Sequence, residues 1–315
     1  MQIIYLDQNK WIELARLHSG RAHSPLLRES YERLANAVDL GDALCPLSAA
    51  HIIETSKRNE PISRGRLALV QARLSRGFVY RSRRGRLGVE LRQAIHRLFQ
   101  EPAPELNPNW VIAQGFLQAF DPMDELAAPQ ADIERVRRLN RHFDPAEVYV
   151  DFMVNQDDAS RRRAHENLDR LGRDLIARIE IRRSQLSGSS VDLRRRAYCA
   201  QLFLDYQDLM LQILEETGHT LAELRCLGDA AVRSLVENVP SLHVEAEMAA
   251  RIESKTGRLS QNDLFDLQAF YTAIPYSSGV IAEKAAISRA EQAKLGQRYG
   301  VWLSRSLTDV LDRLR

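Results

Sequence analysis

Cysteine is nearly absent from this chain. Cys45, Cys199 and Cys226 stand far apart, and no CxxC pair occurs. That excludes a disulfide framework and a thiolate zinc site, and it predicts a reducing compartment. No apolar run approaches the roughly 18 residues that a membrane-spanning helix needs, so no membrane partner is expected. The first residues hold no basic stretch leading into an apolar run and a small-residue cleavage site, which predicts no secretory leader and a cytoplasmic location. Walker-type and dinucleotide-type glycine loops are missing too, leaving no motif for an NTPase or a dehydrogenase. Ser277-Ser278-Gly279 lacks the GxSxG pattern of a nucleophile elbow. His51, His165, His219 and His243 show no metal-ligand spacing. Lysine is scarce: Lys10, Lys57, Lys255, Lys284 and Lys294 are the whole set, so arginine carries nearly all the positive charge.

What remains is a chain of 315 residues with 44% hydrophobic content, long enough for one large domain or two ordinary ones. The net charge is only +2, yet its distribution is uneven. Between Lys57 and Arg97 lie twelve basic residues, opposed only by Glu60 and Glu90. Such one-sidedness predicts a phosphate-facing surface, with Arg76, Arg81, Arg83, Arg84 and Arg86 as the candidate nucleic-acid contacts. The alternative is an arginine-rich segment paired with acids elsewhere. Glu245 and Glu247 are expected to be solvated.

Short apolar stretches without alternation, as expected of strands buried on both faces, occur at residues 3–6, 43–47, 279–282 and 300–303. Helical patterns at 10–18, 25–40, 48–58, 262–273, 289–298 and 307–314 alternate with them, which predicts a parallel sheet. The middle of the chain reads as helix after helix, notably 161–181, 191–217 and 221–236, with a hairpin candidate at Phe78-Val79-Tyr80. The expected fold class is therefore α/β, a small parallel sheet flanked by helices and interrupted by a large all-helical insertion. Residues 1–60 and 240–315 would form the α/β domain, and 61–239 the insertion with its Arg-rich segment.

Acids stand where that fold opens a crevice, outside the carboxyl ends of the strands. Asp7 ends the first strand. Glu54 lies in the second turn of a helix that Ser48 is placed to cap. Asp263 and Asp266 share one face of a later helix at i and i+3, and Glu283 ends the third strand. Carboxylates gathered in a cleft repel one another. An all-oxygen set relieved by a hard divalent cation predicts Mg²⁺ or Mn²⁺, and two such ions would support in-line phosphoryl displacement by water. Plainer roles are open to each acid: Asp7 as a helix cap, Glu54 paired with Arg58, Asp263 as a charge complementing the helix dipole.

These residues resemble the PIN-domain nucleases, a family that includes the ribonucleases of toxin–antitoxin pairs. The resemblance rests on Tyr5-Leu6-Asp7-Gln8-Asn9, on residues 47–54, on Asn262-Asp263-Leu264-Phe265-Asp266 running to Ala273-Ile274-Pro275-Tyr276, and on Ile281-Ala282-Glu283. It covers about 120 residues at the two ends of the chain. It implies an endoribonuclease with Asp7, Glu54 and Asp266 catalytic, with Asp263 and Glu283 as further metal ligands and Asn9 orienting Asp7. It also implies products with 5′-phosphate and 3′-hydroxyl ends, and RNA rather than DNA as the substrate. The helical insertion would narrow access, recognise a structured substrate, or dock a partner such as an antitoxin or a second copy. Where related sequences often place an Asp soon after Pro-Tyr, this chain has Ser277 and Ser278. That departure keeps open a second expectation, a catalytically degenerate adaptor that binds nucleic acid without cutting it.

Overall fold

The computed structural model describes residues 1–21, 23–127, 134, 137, 138, 142–255 and 257–314. Six strands form among them: β1 (Gln2–Leu6), β2 (Ala43–Leu44), β3 (Phe78–Tyr80), β4 (Ile112–Gln114), β5 (Gly279–Ile281) and β6 (Trp302–Ser304). Four make a sheet in the order β2-β1-β5-β6, every pairing parallel. The chain is thus mixed α/β, with a small parallel sheet flanked by helices. The β3–β4 pair is antiparallel, and its Val79 bridges Leu47 just beyond β2. Among the described residues no helix is long and apolar enough to cross a membrane.

β1 is central and buried on both faces, which is why its hydrophobic residues run without alternation. Ile3 and Tyr5 join one core, together with Leu242 and Met248 of the helix Pro240–Ser254 and Phe270 of the helix Gln261–Ala273. Ile4 and Leu6 join the other. There they meet Trp11 and Leu14 of α1 (Gln8–His18), Leu34 of α2 (Pro25–Asp39) and, beyond α3 (Ala49–Ser56), Leu67 and Leu74 of α4 (Pro61–Ser75). Tyr149 and Met153 of the helix Pro145–Asn155 complete this second core. The stretch 61–239 is mainly helical among the described residues, but it also holds β3 and β4. Its α4 and Pro145–Asn155 helices pack into the sheet's own core instead of standing clear of it.

Several boundaries differ from the sequence expectation. The helix expected over 191–217 divides at Tyr206 into Val191–Asp205 and Gln207–Glu216. The helix expected over 289–298 becomes Lys284–Gln292 and Leu295–Tyr299, separated by Lys294 in the left-handed region at φ 55°. Hydrophobic periodicity runs on across such single-residue breaks, so it cannot mark them.

Gly279 opens β5 where the indole of Trp302 on β6 crosses the backbone. A Cβ there would lie 2.0 Å from a ring carbon of Trp302. Gly279→Ala is expected to destabilise the protein by roughly 1–3 kcal/mol, the usual penalty of overpacking, read as a fall in Tm by calorimetry. An unchanged Tm would contradict this close approach of β6 to β5.

Candidate functional site

The carboxyl ends of β1 and β5 lie side by side. The backbone N–H of Asp7 donates to the Ile281 carbonyl at 2.9 Å, so the residues leaving the two strands, Asp7 and Glu283, emerge next to each other. Asp7 sits at the N-cap position of α1 but makes no side-chain capping bond, and its carboxylate faces the cleft. Asn9 Nδ2, in the first turn of α1, donates to Glu283 Oε1 and holds that exposed carboxylate against the strand ends.

α3 delivers Glu54. Ser48 caps the helix reciprocally with His51: the Ser48 hydroxyl accepts from the His51 N–H at 3.4 Å, and His51 Nδ1 accepts from the Ser48 N–H at 3.1 Å. The His51 ring stacks on Tyr5 at 4.9 Å, and burial lowers its pKa to about 3, so it stays neutral. A neutral imidazole pressed on β1 fixes where α3 starts, and hence where Glu54 points. Asp266 comes from the helix Gln261–Ala273, whose start is set by a second capping box between Ser260 and Asp263.

Asp7, Glu54, Asp266 and Glu283 line one cleft of about 420 Å³. Its remaining wall includes Tyr5, Gln8, Ile12, Asn262 and Phe265, with Lys57 and Arg58 at the rim. The carboxyl groups sense one another. Burial raises the Asp7 pKa from 3.8 to about 6, and the Glu283 charge adds to the rise, against the opposing pull of the Gln8 N–H and Lys10. Burial, then Asp7, then Asp266 raise Glu54 from 4.5 to about 7. Burial, then Asp7 raise Asp266 from 3.8 to about 7, while Arg289 pulls it down. Three acids from distant parts of the chain therefore raise one another's pKa, more than the nearby Lys10, Lys57, Arg58 and Arg289 lower them.

Asp263 is placed differently. It is buried, is absent from the cleft lining, and has its oxygens taken by Lys255 Nζ at 2.6 Å and by the Ser260 N–H and hydroxyl at 2.9 and 2.8 Å. The metal-ligand role expected of it gives way to the capping role, because i and i+3 on a helix share a face only broadly and the first turn claims the earlier acid. Arg289 stands between the two, 3.8 Å from each carboxylate. Glu54 forms no ion pair with Arg58 among the described residues; Asp7 and Asp266 raise it more than the charges of Lys57 and Arg58 lower it.

The Arg-rich segment departs from the sequence expectation. Arg86 is 2% exposed, and its guanidinium donates to Ser241 Oγ, the Tyr271 carbonyl, Thr272 Oγ1 and the Arg81 carbonyl. No phosphate can reach it. Instead it clamps α5 (Arg83–Leu98) to the very helix that carries Asp266. Arg81 is paired with Asp124 at 2.8 Å. Arg83 is paired with Glu245, which is buried and not solvated as expected, and lies over the Tyr271 ring at 4.5 Å. Arg84 and Arg76 are exposed, but neither lines the carboxylate cleft. The acids that neutralise this run come from far along the chain, so counting charges within the run overstated its free positive charge.

Ser277 and Ser278 precede β5, at the amino end of the sheet. Ser278 Oγ accepts from the Ile3 N–H at 3.2 Å, and Ser277 Oγ bonds Tyr80 Oη at 2.7 Å. They lie a strand's length from the carboxylates, so their identity does not bear on the cleft. Residues passed over in the sequence are Gln8, Lys57, Arg58 and Phe265. Only Gln8 and Arg58 carried a signal, being next to Asp7 and at i+4 from Glu54.

The donor set suits a hard divalent cation: carboxylate and amide oxygens, with soft ligands absent from the lining. Gln8 adds a second sign. Its Nε2 donates to Thr55 at 3.2 Å, while its buried Oε1 has no partner among the described residues. As the side chains stand, no three of the described His, Cys, Asp and Glu residues are gathered tightly enough to close on an ion. The oxygen chemistry of the lining is nonetheless of the kind that such a cation takes. Compared with protein-family models, with curated proteins and with solved structures, the chain gives no significant match.

Proposed function

We propose that this chain is a divalent-cation-dependent nuclease of PIN-like type, an endoribonuclease working in the cytoplasm. The observation that carries the reading is the meeting of Asp7, Glu54 and Asp266 in one cleft at the carboxyl ends of parallel strands, each with its pKa pushed up towards neutrality. Ligands bind in such crevices, and perturbed acids concentrate at functional sites.

Asp7, Glu54 and Asp266 would hold Mg²⁺ or Mn²⁺, with Glu283, positioned by Asn9, as a further oxygen donor. Bound there, the cation would polarise the phosphodiester and ease deprotonation of the attacking water. The chain's own residues do the rest. Lys57 and Arg58 at the rim favour a phosphate over other electrophiles. Phe265 offers an apolar face beside the acids on which a base can rest. Water attacks phosphorus, the bond to the 3′ oxygen breaks, and 5′-phosphate and 3′-hydroxyl ends result. An antitoxin or second copy remains part of the proposal, for which Leu171 and Ile181, each 59% exposed on the helix Asp158–Gln185, are apolar contact candidates.

The test is direct. Purified protein with end-labelled RNA is expected to yield shorter fragments bearing 5′-phosphate in Mn²⁺ or Mg²⁺, and none in excess EDTA. Intact single-stranded, hairpin and duplex RNA after incubation with either cation would reject the reading.

A further inference from the structure

Beside the carboxylate cleft lies a second, smaller one of about 130 Å³, and the two share Ile12 and Arg58 as a common wall. Three separate segments supply its lining: α1 with Arg16, the turn after it with Ser19 and Arg21, and the stretch from the end of α3 into α4 with Arg58, Ser63 and Arg66. Four arginines thus border a space ample for one tetrahedral oxyanion, at about 30 Å³ per displaced water.

Some arginines elsewhere are paired with acids: Arg81 with Asp124, Arg161 with Asp158, Arg195 with Glu237. At this cleft no acid lines the space, and among the described residues Arg16, Arg21, Arg58 and Arg66 form no ion pair. Arg58 is half-buried, and its side-chain hydrogen bond goes to Ser63 Oγ at 3.3 Å. Its pKa is lowered by that burial and then by the Arg16 charge nearby, while Glu54 acts the other way from the carboxylate cleft. Four arginines around a space that no acid lines suit an anion, and planar guanidinium forks match phosphate oxygens.

We propose that this arginine cleft holds a backbone phosphate of the polynucleotide strand whose adjoining phosphodiester enters the carboxylate cleft, so that the strand passes over Arg58. The inference rests on the nuclease reading and extends it: phosphate grip is assigned to Arg16, Arg21, Arg58 and Arg66, and not to the run from Arg76 to Arg86. Two neighbouring clefts of opposite charge would set the register of the strand by its backbone, with no reading of bases.

The experiment measures binding without turnover. A fluorescein-labelled single-stranded oligouridylate is titrated into the Asp7→Asn protein in EDTA, by anisotropy, across a salt series. Adding Arg16→Gln and Arg66→Gln together is expected to weaken binding at least about 10-fold and to flatten the slope of log K against log salt by roughly 0.7 for each phosphate no longer neutralised. Arg76→Gln with Arg84→Gln, equally exposed but away from the cleft, is expected to leave both readings in place. Equal weakening by the two pairs, or none by the first, overturns the proposal. So does a first pair that abolishes protection by inorganic phosphate in a thermal melt while leaving oligouridylate binding intact, since the cleft would then serve the free anion. Failure of the nuclease reading looks different: wild-type protein that binds RNA through these arginines yet never cuts it. Both arginine pairs are at the surface, and matching melting temperatures would show that the variants fold alike.

Discussion

Asp7→Asn is expected to abolish RNA cleavage and, without divalent cation at neutral pH, to make the protein more stable. The two effects have one cause. Asparagine preserves the shape of the side chain and removes its charge, and that charge is, after burial, the largest cause that raises both Glu54 and Asp266. Once it is gone, neither remaining carboxylate has its strongest electrostatic opponent, and the folded state is relieved of repulsion in a partly dry cleft. A destabilised, like-charged cluster kept at the carboxyl end of a central strand is the usual trade of stability for function. Activity is expected to fall by about 10²–10³-fold or more, the scale of removing one pre-organised electrostatic partner from a reacting group. Each kcal/mol of relief would appear as about 2–4 °C in Tm for a domain of this order of size. Cleavage at the wild-type rate by the variant, or a lower Tm in EDTA, would contradict the shared-charge account of the cleft.

Wild-type stability is expected to depend on pH through the same three groups, in a direction opposite to that of ordinary paired carboxylates. Their folded pKa values, about 6 for Asp7 and about 7 for Glu54 and Asp266, lie above the ordinary 3.8 to 4.5. The folded state therefore binds more protons than the unfolded one across this window, and stability falls as pH rises from about 4 through 7. Buried His51 and His243, lowered to about 3 and about 4, act the other way below their ordinary 6.5. The quantity to read is thus the difference in Tm between Glu54→Gln and wild type in EDTA. It is expected to be small at pH 5 and to grow to its maximum above pH 7. Mn²⁺ should reverse it: a cation enters as protons leave, so its stabilisation of wild type is expected to be large at pH 8 and slight at pH 5. A difference that stays flat across this range, with equal Mn²⁺ shifts at both ends, would mean that Glu54 stands alone.

Much of the scaffold is legible in local patterns. β1 and β5 are short, apolar and unalternating because both faces are covered, and an acid follows each within two residues, Asp7 after Leu6 and Glu283 after Ile281. β2 is shorter than its apolar run, since Cys45–Leu47 leaves β1 to meet β3 instead, with the Leu47 N–H and carbonyl bonding Phe78 and Tyr80. The serine cap of α3 could also be read, because a capping hydroxyl acts on its own backbone neighbours; the Ser260 cap of the helix Gln261–Ala273 came only with the structure. Sign of charge is another matter. Arg86 and Arg58 look alike in the sequence, yet one is sealed between helices and the other borders the cleft.

By itself the chain's sequence determined which segments are buried strands, which acids end them, and where the helices that bear Glu54 and Asp266 begin. These are local consequences of hydrophobic burial and capping, and they act over a few residues. Only the tertiary structure decided which charges go unanswered. Asp124 and Glu245 reach back to neutralise Arg81 and Arg83, Lys255 withdraws Asp263, and Asp7, Glu54 and Asp266 are left facing one another. Electrostatic balance depends on distance in space, and no reading along the chain supplies that distance.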